Sequence, residues 1–177
     1  MSKIAIVVGH DIKEPGAYSK VIRQTEYDYN CKIANRLCNE FDVYYRNEKL
    51  NGYKSKMIDL SQRVNQKDYD HVIELHFNKY DGKANKKGHG CESVIFPNNQ
   101  KSKELSKKLL KSISDNFEVK NRGVKEHGSN DRGYQFLSRM KANAMILEPF
   151  FGDENEADRF EVNKYANTIK ETLKKYK

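Results

Sequence analysis

The chain has 177 residues, 37% hydrophobic and 33% charged, with a formal net charge of +8. That length suits one domain with a real core, and the three cysteines (Cys31, Cys38, Cys91), odd in number and without CxxC spacing, argue against a disulfide framework or a cysteine-type zinc finger. The apolar run Ile4 to Val8 is far too short for a membrane span or a signal peptide, so synthesis in the cytoplasm is expected, with a separate means of release if the protein acts outside. The positive charge points to a polyanionic partner: nucleic acid, an acidic membrane or an anionic cell wall.

In chain order, Lys3 to Val8 reads as a strand bounded by Gly9, followed by a turn-rich loop from His10 to Gln24. Glu26 to Phe41 has helical spacing at Ile33, Ala34, Leu37, Cys38 and Phe41, with Thr25 as its cap. Cys31 and Cys38, seven apart, are expected on one helix face as small buried apolar residues. A short strand at Asp42 to Tyr45 precedes a helix at Ser55 to Gln66, with Met57, Leu60, Ser61 and Val64 inward. Asp70 to Phe77 and Cys91 to Phe96 read as strands, the latter stopped by Pro97. Lys101 to Phe117 is a helix with the stripe Leu105, Leu109, Ile113 and Phe117. Ala142 to Glu148 is a last strand, stopped by Pro149, and Val162 to Tyr176 a closing helix. The polar, glycine-bearing segments Asp81 to Gly90 and Lys120 to Gly133 are expected as loops at a cleft rim. Strands with continuous apolar runs alternating with helices predict a single α/β domain over residues 1–177, with a mostly parallel, mixed sheet of about five to six strands flanked by helices on both faces.

The strand ends carry the chemistry. His10 follows the first strand, His76 ends the strand from Asp70, and Glu148 ends the strand from Ala142; in a parallel sheet these ends meet at one edge, where open α/β sheets build their sites. Glu26 opens a helix near that same edge. Two histidines and a carboxylate are a zinc-binding set that leaves a position for water or substrate, and a further carboxylate can then act as base toward that water. A histidine at a strand end can equally be a capped core residue, and Glu26 can be an acid favoured by the helix dipole. Glu148 is harder to assign to structure alone, because a charge inside Met145-Ile146-Leu147-Glu148-Pro149-Phe150-Phe151 must be paired, metal-bound or protonated. Glu74 shares that constraint and, by strand alternation, faces the same side as His76, either supporting the metal site or forming its own ion pair. There is no Gly-x-Ser-x-Gly elbow and no phosphate- or dinucleotide-binding glycine fingerprint. His71, His89 and His127 lie in less constrained contexts; His89 and His127 are expected to be exposed, though either could line a cleft.

These residues sit in strings that resemble the zinc-dependent N-acetylmuramoyl-L-alanine amidases of the amidase-3 type, especially catalytic domains of phage endolysins of clostridial-like hosts. The strings are Ile6-Val7-Val8-Gly9-His10 with Pro15-Gly16-Ala17; Thr25-Glu26-Tyr27-Asp28-Tyr29-Asn30; Ile73-Glu74-Leu75-His76-Phe77-Asn78; Gly90-Cys91-Glu92-Ser93-Val94; Asn121-Arg122-Gly123-Val124; and Met145 to Phe151. The resemblance covers nearly the whole chain. It implies one zinc ion on His10, Glu26 and His76, Glu148 as the catalytic carboxylate, and Arg122, Gly123 and Asn78 near the substrate, with Glu74 in support. It further implies hydrolysis of the amide between N-acetylmuramic acid and the L-alanine of the stem peptide by zinc-activated water. The partner expected is peptidoglycan, with anionic wall polymers attracted by the positive charge, rather than nucleic acid. No separate wall-binding domain is expected within these residues, and no feature of the sequence fixes an oligomeric state. Two other readings remain at this point: a zinc peptidase cutting within the stem peptide, and a basic, non-catalytic module binding wall polymer or nucleic acid.

Overall fold

Five consecutive apolar residues form β1 (Ile4–Val8) and are all buried, as an interior strand covered on both faces requires. The computed structural model describes residues 2–80 and 89–176. After β1 come a small antiparallel hairpin of β2 (Tyr18–Ser19) and β3 (Gln24–Thr25), then α1 (Glu26–Leu37), β4 (Asp42–Tyr44), α2 (Tyr53–Val64) and β5 (His71–Leu75). The chain continues through β6 (Cys91–Ile95), α3 (Gln100–Phe117), β7 (Asn121–Glu126), α4 (Tyr134–Leu137), β8 (Asn143–Glu148), a 3-10 turn at Asn155–Arg159, and α5 (Val162–Lys175).

The main sheet has six strands in the order β4-β1-β5-β8-β6-β7. The first four run parallel, β6 is antiparallel to β8, and β7 is parallel to β6. This is the mixed, mostly parallel α/β architecture expected from the alternation of apolar runs and amphipathic helices. Strand alternation divides the core in two. Ile6, Ile73, Leu75, Ile95 and Leu147 face α1, α3 and α5 through Ile33, Leu37, Leu105, Leu109, Ile169 and Leu173. Ala5, Val7, Val72, Val94, Ala144 and Ile146 face α2 and α4 through Met57, Leu60, Val64, Phe136 and Leu137. Each of these large side chains contributes about 1.5–3 kcal/mol on leaving water. The helix expected at Lys101 to Phe117 buries the stripe read from its spacing, and the closing helix buries Tyr165, Ala166, Ile169 and Leu173.

Four expectations change. Part of the segment Lys120 to Gly133 is a strand, β7, rather than loop; as an edge strand its Asn-Arg-Gly-Val-Lys-Glu sequence stays partly solvated and lacks an apolar signal. The turn-rich stretch before Glu26 holds the β2–β3 hairpin. The first helix stops at Leu37, short of Phe41. Cys31 is half-buried and Cys38 exposed, not buried. The buried stripe of α1 includes Tyr29, Asn30, Ile33, Ala34 and Leu37; position 31 lies about 200° around the helix from Tyr29, and Cys38 is the C-cap, past the last turn of the helix. The rim expected at Asp81 to Gly90 lies outside the described residues for 81–88.

Candidate metal centre and groove

Register builds the site. Val8 pairs with Leu75, and Leu75 with Leu147, so β1, β5 and β8 end side by side. The residues that follow or close them, Gly9-His10, His76 and Glu148, therefore emerge along one edge. The N-terminal end of β6 lies at this edge too, because β6 is reversed, and Glu92 sits directly opposite Glu148. The face covered by α2 and the four-residue α4 leaves this end of the sheet open. A groove of about 990 Å³ lies there, lined by His10, Glu26, Glu74, His76, Asn78, Glu92 and Glu148 and walled by residues 129–135 with Lys125 and His127.

Glu26 holds the centre. Thr25 caps α1 by accepting a bond from Asp28 N, which sets Glu26 in the first turn. The Glu26 carboxylate accepts from Phe77 N at 3.0 Å and from Ala17 N at 3.3 Å. Its Oε1 lies 2.7 Å from His76 Nδ1 and its Oε2 lies 3.2 Å from His10 Nε2. Burial would push this carboxyl up, but the bonds to His10 and His76 outweigh it and hold it well below the usual carboxylate range. Burial acts to lower the affinity of His76 for a proton, whereas Glu74 and Glu26 raise its pKa to about 10. Two buried carboxylates around one imidazole thus call for a positive charge at that point.

A metal ion can supply it in place of the proton. One donor atom from each of His10, Glu26 and His76 lies within 4.8 Å of the others, a group able to hold a metal ion. Gly16, at φ +75°, lets the backbone pass close beneath: a Cβ there would come within 2.6 Å of Glu26 Oε2 and 2.7 Å of His10 Cδ2. His10 itself takes a positive φ of 67° to turn its ring inward from the end of β1. The donor set and this cradle fit a small, borderline-soft cation such as zinc.

Glu74 is fully buried, pairs with Arg46 (2.7 Å) and also reaches His76 Nε2 (3.2 Å), so the ion pair and the contact with His76 coexist. Despite its burial, Arg46 and His76 hold its pKa down at about 2. Asn78 turns its amide between two carboxylates, donating from Nδ2 to Glu92 Oε1 at 2.7 Å and to Glu148 Oε2 at 2.8 Å. Arg122 reaches Glu92 Oε2 at 3.0 Å and stacks over Phe151. Gly123, at φ +83°, is bonded through its N–H to Asn121 and does not line the groove. Burial is the chief reason the Glu148 carboxyl is pushed up, to about 8; His76 opposes the rise, and the charges of Glu92 and Glu26 add to it. His127 lines the groove and is half-buried rather than exposed, while His89 is exposed and His71 is buried against Tyr176. Sequence reasoning missed Glu92 as a site residue. The signal was available, since it is a charge inside the apolar run Cys91 to Ile95, as Glu148 is inside its own run.

The profile of the Amidase_3 family, N-acetylmuramoyl-L-alanine amidase, matches residues 4–175. The chain belongs to the N-acetylmuramoyl-L-alanine amidase family. Among solved structures, the catalytic domain of the CD27L endolysin, targeting Clostridia difficile, is 27% identical, with a TM-score of 0.78 over 98% of this chain and 97% of that one. The CwlD amidase from Clostridioides difficile, solved with the GerS lipoprotein, is 22% identical with a TM-score of 0.75 over 98% of each chain. The catalytic domain of the amidase CwlV from Bacillus (Paenibacillus) polymyxa is 17% identical, with a TM-score of 0.71, and covers 98% of this chain. The last two are likenesses of fold. No curated protein sequence matches the chain. The chain is thus an amidase of this family by its profile, and no helix among the described residues is long and apolar enough to cross a membrane.

Proposed function

We propose that this amidase cuts peptidoglycan between the lactyl carbonyl of N-acetylmuramic acid and the L-alanine of the stem peptide, with one zinc ion on His10, Glu26 and His76 and Glu148 as general base. The observation that carries the reading is the convergence of those three donor groups at the strand edge with Glu148 on the neighbouring strand. Zinc, when bound, supplies Lewis-acid chemistry that acidifies a water and polarises a carbonyl. Glu148 then takes the proton of the attacking water on its carboxylate and returns it to the departing alanine nitrogen as the C–N bond breaks. Asn78 holds one oxygen of that carboxylate so that the other can face the reacting water. The groove wall at 129–135 screens the site and offers peptide-sized space beside it. Action is placed at the bacterial wall, where this substrate lies, after release in the manner of an endolysin; the net charge of +8 supports attraction to anionic wall polymers.

The test is mass spectrometry of purified wall treated with the protein, with and without a chelator. Free stem peptides beginning with alanine, and their loss on chelation, are the expected result. Fragments cut within the stem would assign a zinc peptidase instead, and binding without hydrolysis would assign a non-catalytic module.

A further inference from the structure

Two acidic side chains face each other across the reversed strand pair, Glu92 on β6 and Glu148 on β8. Like charges directly opposite on neighbouring strands destabilise a sheet, so such a pair persists only where something else holds it. Here one Asn78 amide nitrogen donates to both carboxyls, at 2.7 and 2.8 Å. Arg122 Nε closes on the far oxygen of Glu92 at 3.0 Å. Arg122 is itself seated over the Phe151 ring, 4.9 Å from its centroid. Asn78 is fixed by its backbone: its N–H donates to Phe150 O and its carbonyl accepts from Gly152 N, both at 2.8 Å. The chain therefore builds a rigid line, Arg122 to Glu92 to Asn78 to Glu148, ending at the proposed base.

The geometry points to Glu92 as a positioning residue for the amidase reaction: clamped by Arg122 and joined to Glu148 through the Asn78 amide, it holds the base in place and keeps a negative charge beside it. This rests on Glu148 being the base, as proposed above. Arg122 Nε reaches Glu92 Oε2 and not Glu148, so within this line the cation neutralises Glu92 rather than the base. A neighbouring charge that strengthens Glu148 as a base brings its proton affinity toward the working pH, where general-base catalysis is most effective. The other charges facing Glu148 are His76 at the end of β5 and Glu26 on α1, with Lys125 and His127 on the groove wall.

Two substitutions of opposite electrostatic sense test the proposal in the zinc-loaded protein acting on purified wall. Glu92→Gln removes the charge, so the acid limb of the kcat/KM profile should move to lower pH by about one unit. Its maximum should fall about tenfold through kcat, with KM and zinc content unchanged. Arg122→Gln leaves the Glu92 charge uncompensated and should move the limb the other way. A rate loss in Glu92→Gln without a limb shift, or shifts of the same sign in both variants, overturns the proposal. Infrared titration of the Glu148 carboxylic-acid band, identified by its loss in Glu148→Gln, reads the same effect without turnover. Its midpoint should fall in Glu92→Gln and rise in Arg122→Gln; midpoints equal to the parent's overturn the proposal. An inactive parent protein with these infrared shifts would instead refute the assigned reaction and leave the carboxyl pairing standing.

Discussion

Gly16 marks how closely the backbone approaches the proposed metal centre. A side chain there would need a positive φ of 75° and would press on Glu26 and His10 together. Gly16→Ala is expected to weaken zinc binding by at least about tenfold, with the fold retained, since it displaces two of the proposed ligands without opening the core. Zinc titration followed by circular dichroism checks both parts; undiminished affinity would contradict the role of this cradle. His76→Ala is expected to abolish stoichiometric zinc by elemental analysis, because it removes the imidazole between Glu26 and Glu74. Glu148→Gln is expected to keep zinc and lose wall hydrolysis by about 10²–10⁴-fold, the usual contribution of a general base. The same variant has a second signature in the metal-free protein. The Glu148 carboxyl ionises near 4.5 in an unfolded chain and at about 8 in the folded one. The unfolded state thus gives up the proton first, and stability falls as pH rises from 4.5 to 8, then levels. Glu148→Gln should remove that fall and raise stability at pH 8 by roughly 1–2 kcal/mol, discounted for partial exposure to the groove. Thermal melts at pH 5 and 8 measure it; parallel melts for parent and variant would refute the shift.

At the level of elements, the loop that carries His10 is tied down by a helix rather than by the sheet. Lys56, on α2, is 2% exposed and reaches Asp11 at 2.7 Å and Glu14 at 2.8 Å. Asp11 also accepts from the backbone N–H groups of Lys13 and Glu14, closing a turn next to His10. Lys56→Met would leave the buried Asp11 charge without its partner, which costs about 3 kcal/mol. Adding Asp11→Asn should recover a large part of that loss, as denaturant titration of the single and double variants would reveal; equal losses in both would contradict the ion-pair account. The short α4 has the complementary role. With only four residues it covers part of one sheet face and leaves the strand ends open as the groove. β7, polar and at the sheet edge, delivers Arg122 to Glu92 because it runs parallel to the reversed β6.

Over the whole molecule, the net charge of +8 bears on how the enzyme meets its substrate rather than on the fold. Raising salt shortens the screening length from ~10 Å at 0.1 M to ~3 Å at 1 M. KM on walls that retain anionic polymers is therefore expected to rise severalfold with salt, while KM on soluble muropeptides stays nearly constant; an equal response on both substrates would argue against electrostatic attraction. Much of this molecule was readable from the chain alone. Apolar runs and helical stripes are local, periodic signals, so the α/β class, the capped start of α1 and the placement of His10, His76 and Glu148 at strand ends follow from them. Glu26 could be named as opening a helix near that edge, because a helix that follows a parallel strand begins where the strand ends. What spacing cannot carry is the direction and neighbour of each strand. Reversal of β6 is a pairing choice made over long sequence separations, and it alone sets Glu92 against Glu148. The polar edge strand β7 and the Arg122 it presents lack a periodic signature for the same reason: their stability comes from a neighbour, not from their own pattern. Local chemistry thus decided which residues reach the sheet edge, and tertiary pairing decided which of them meet there.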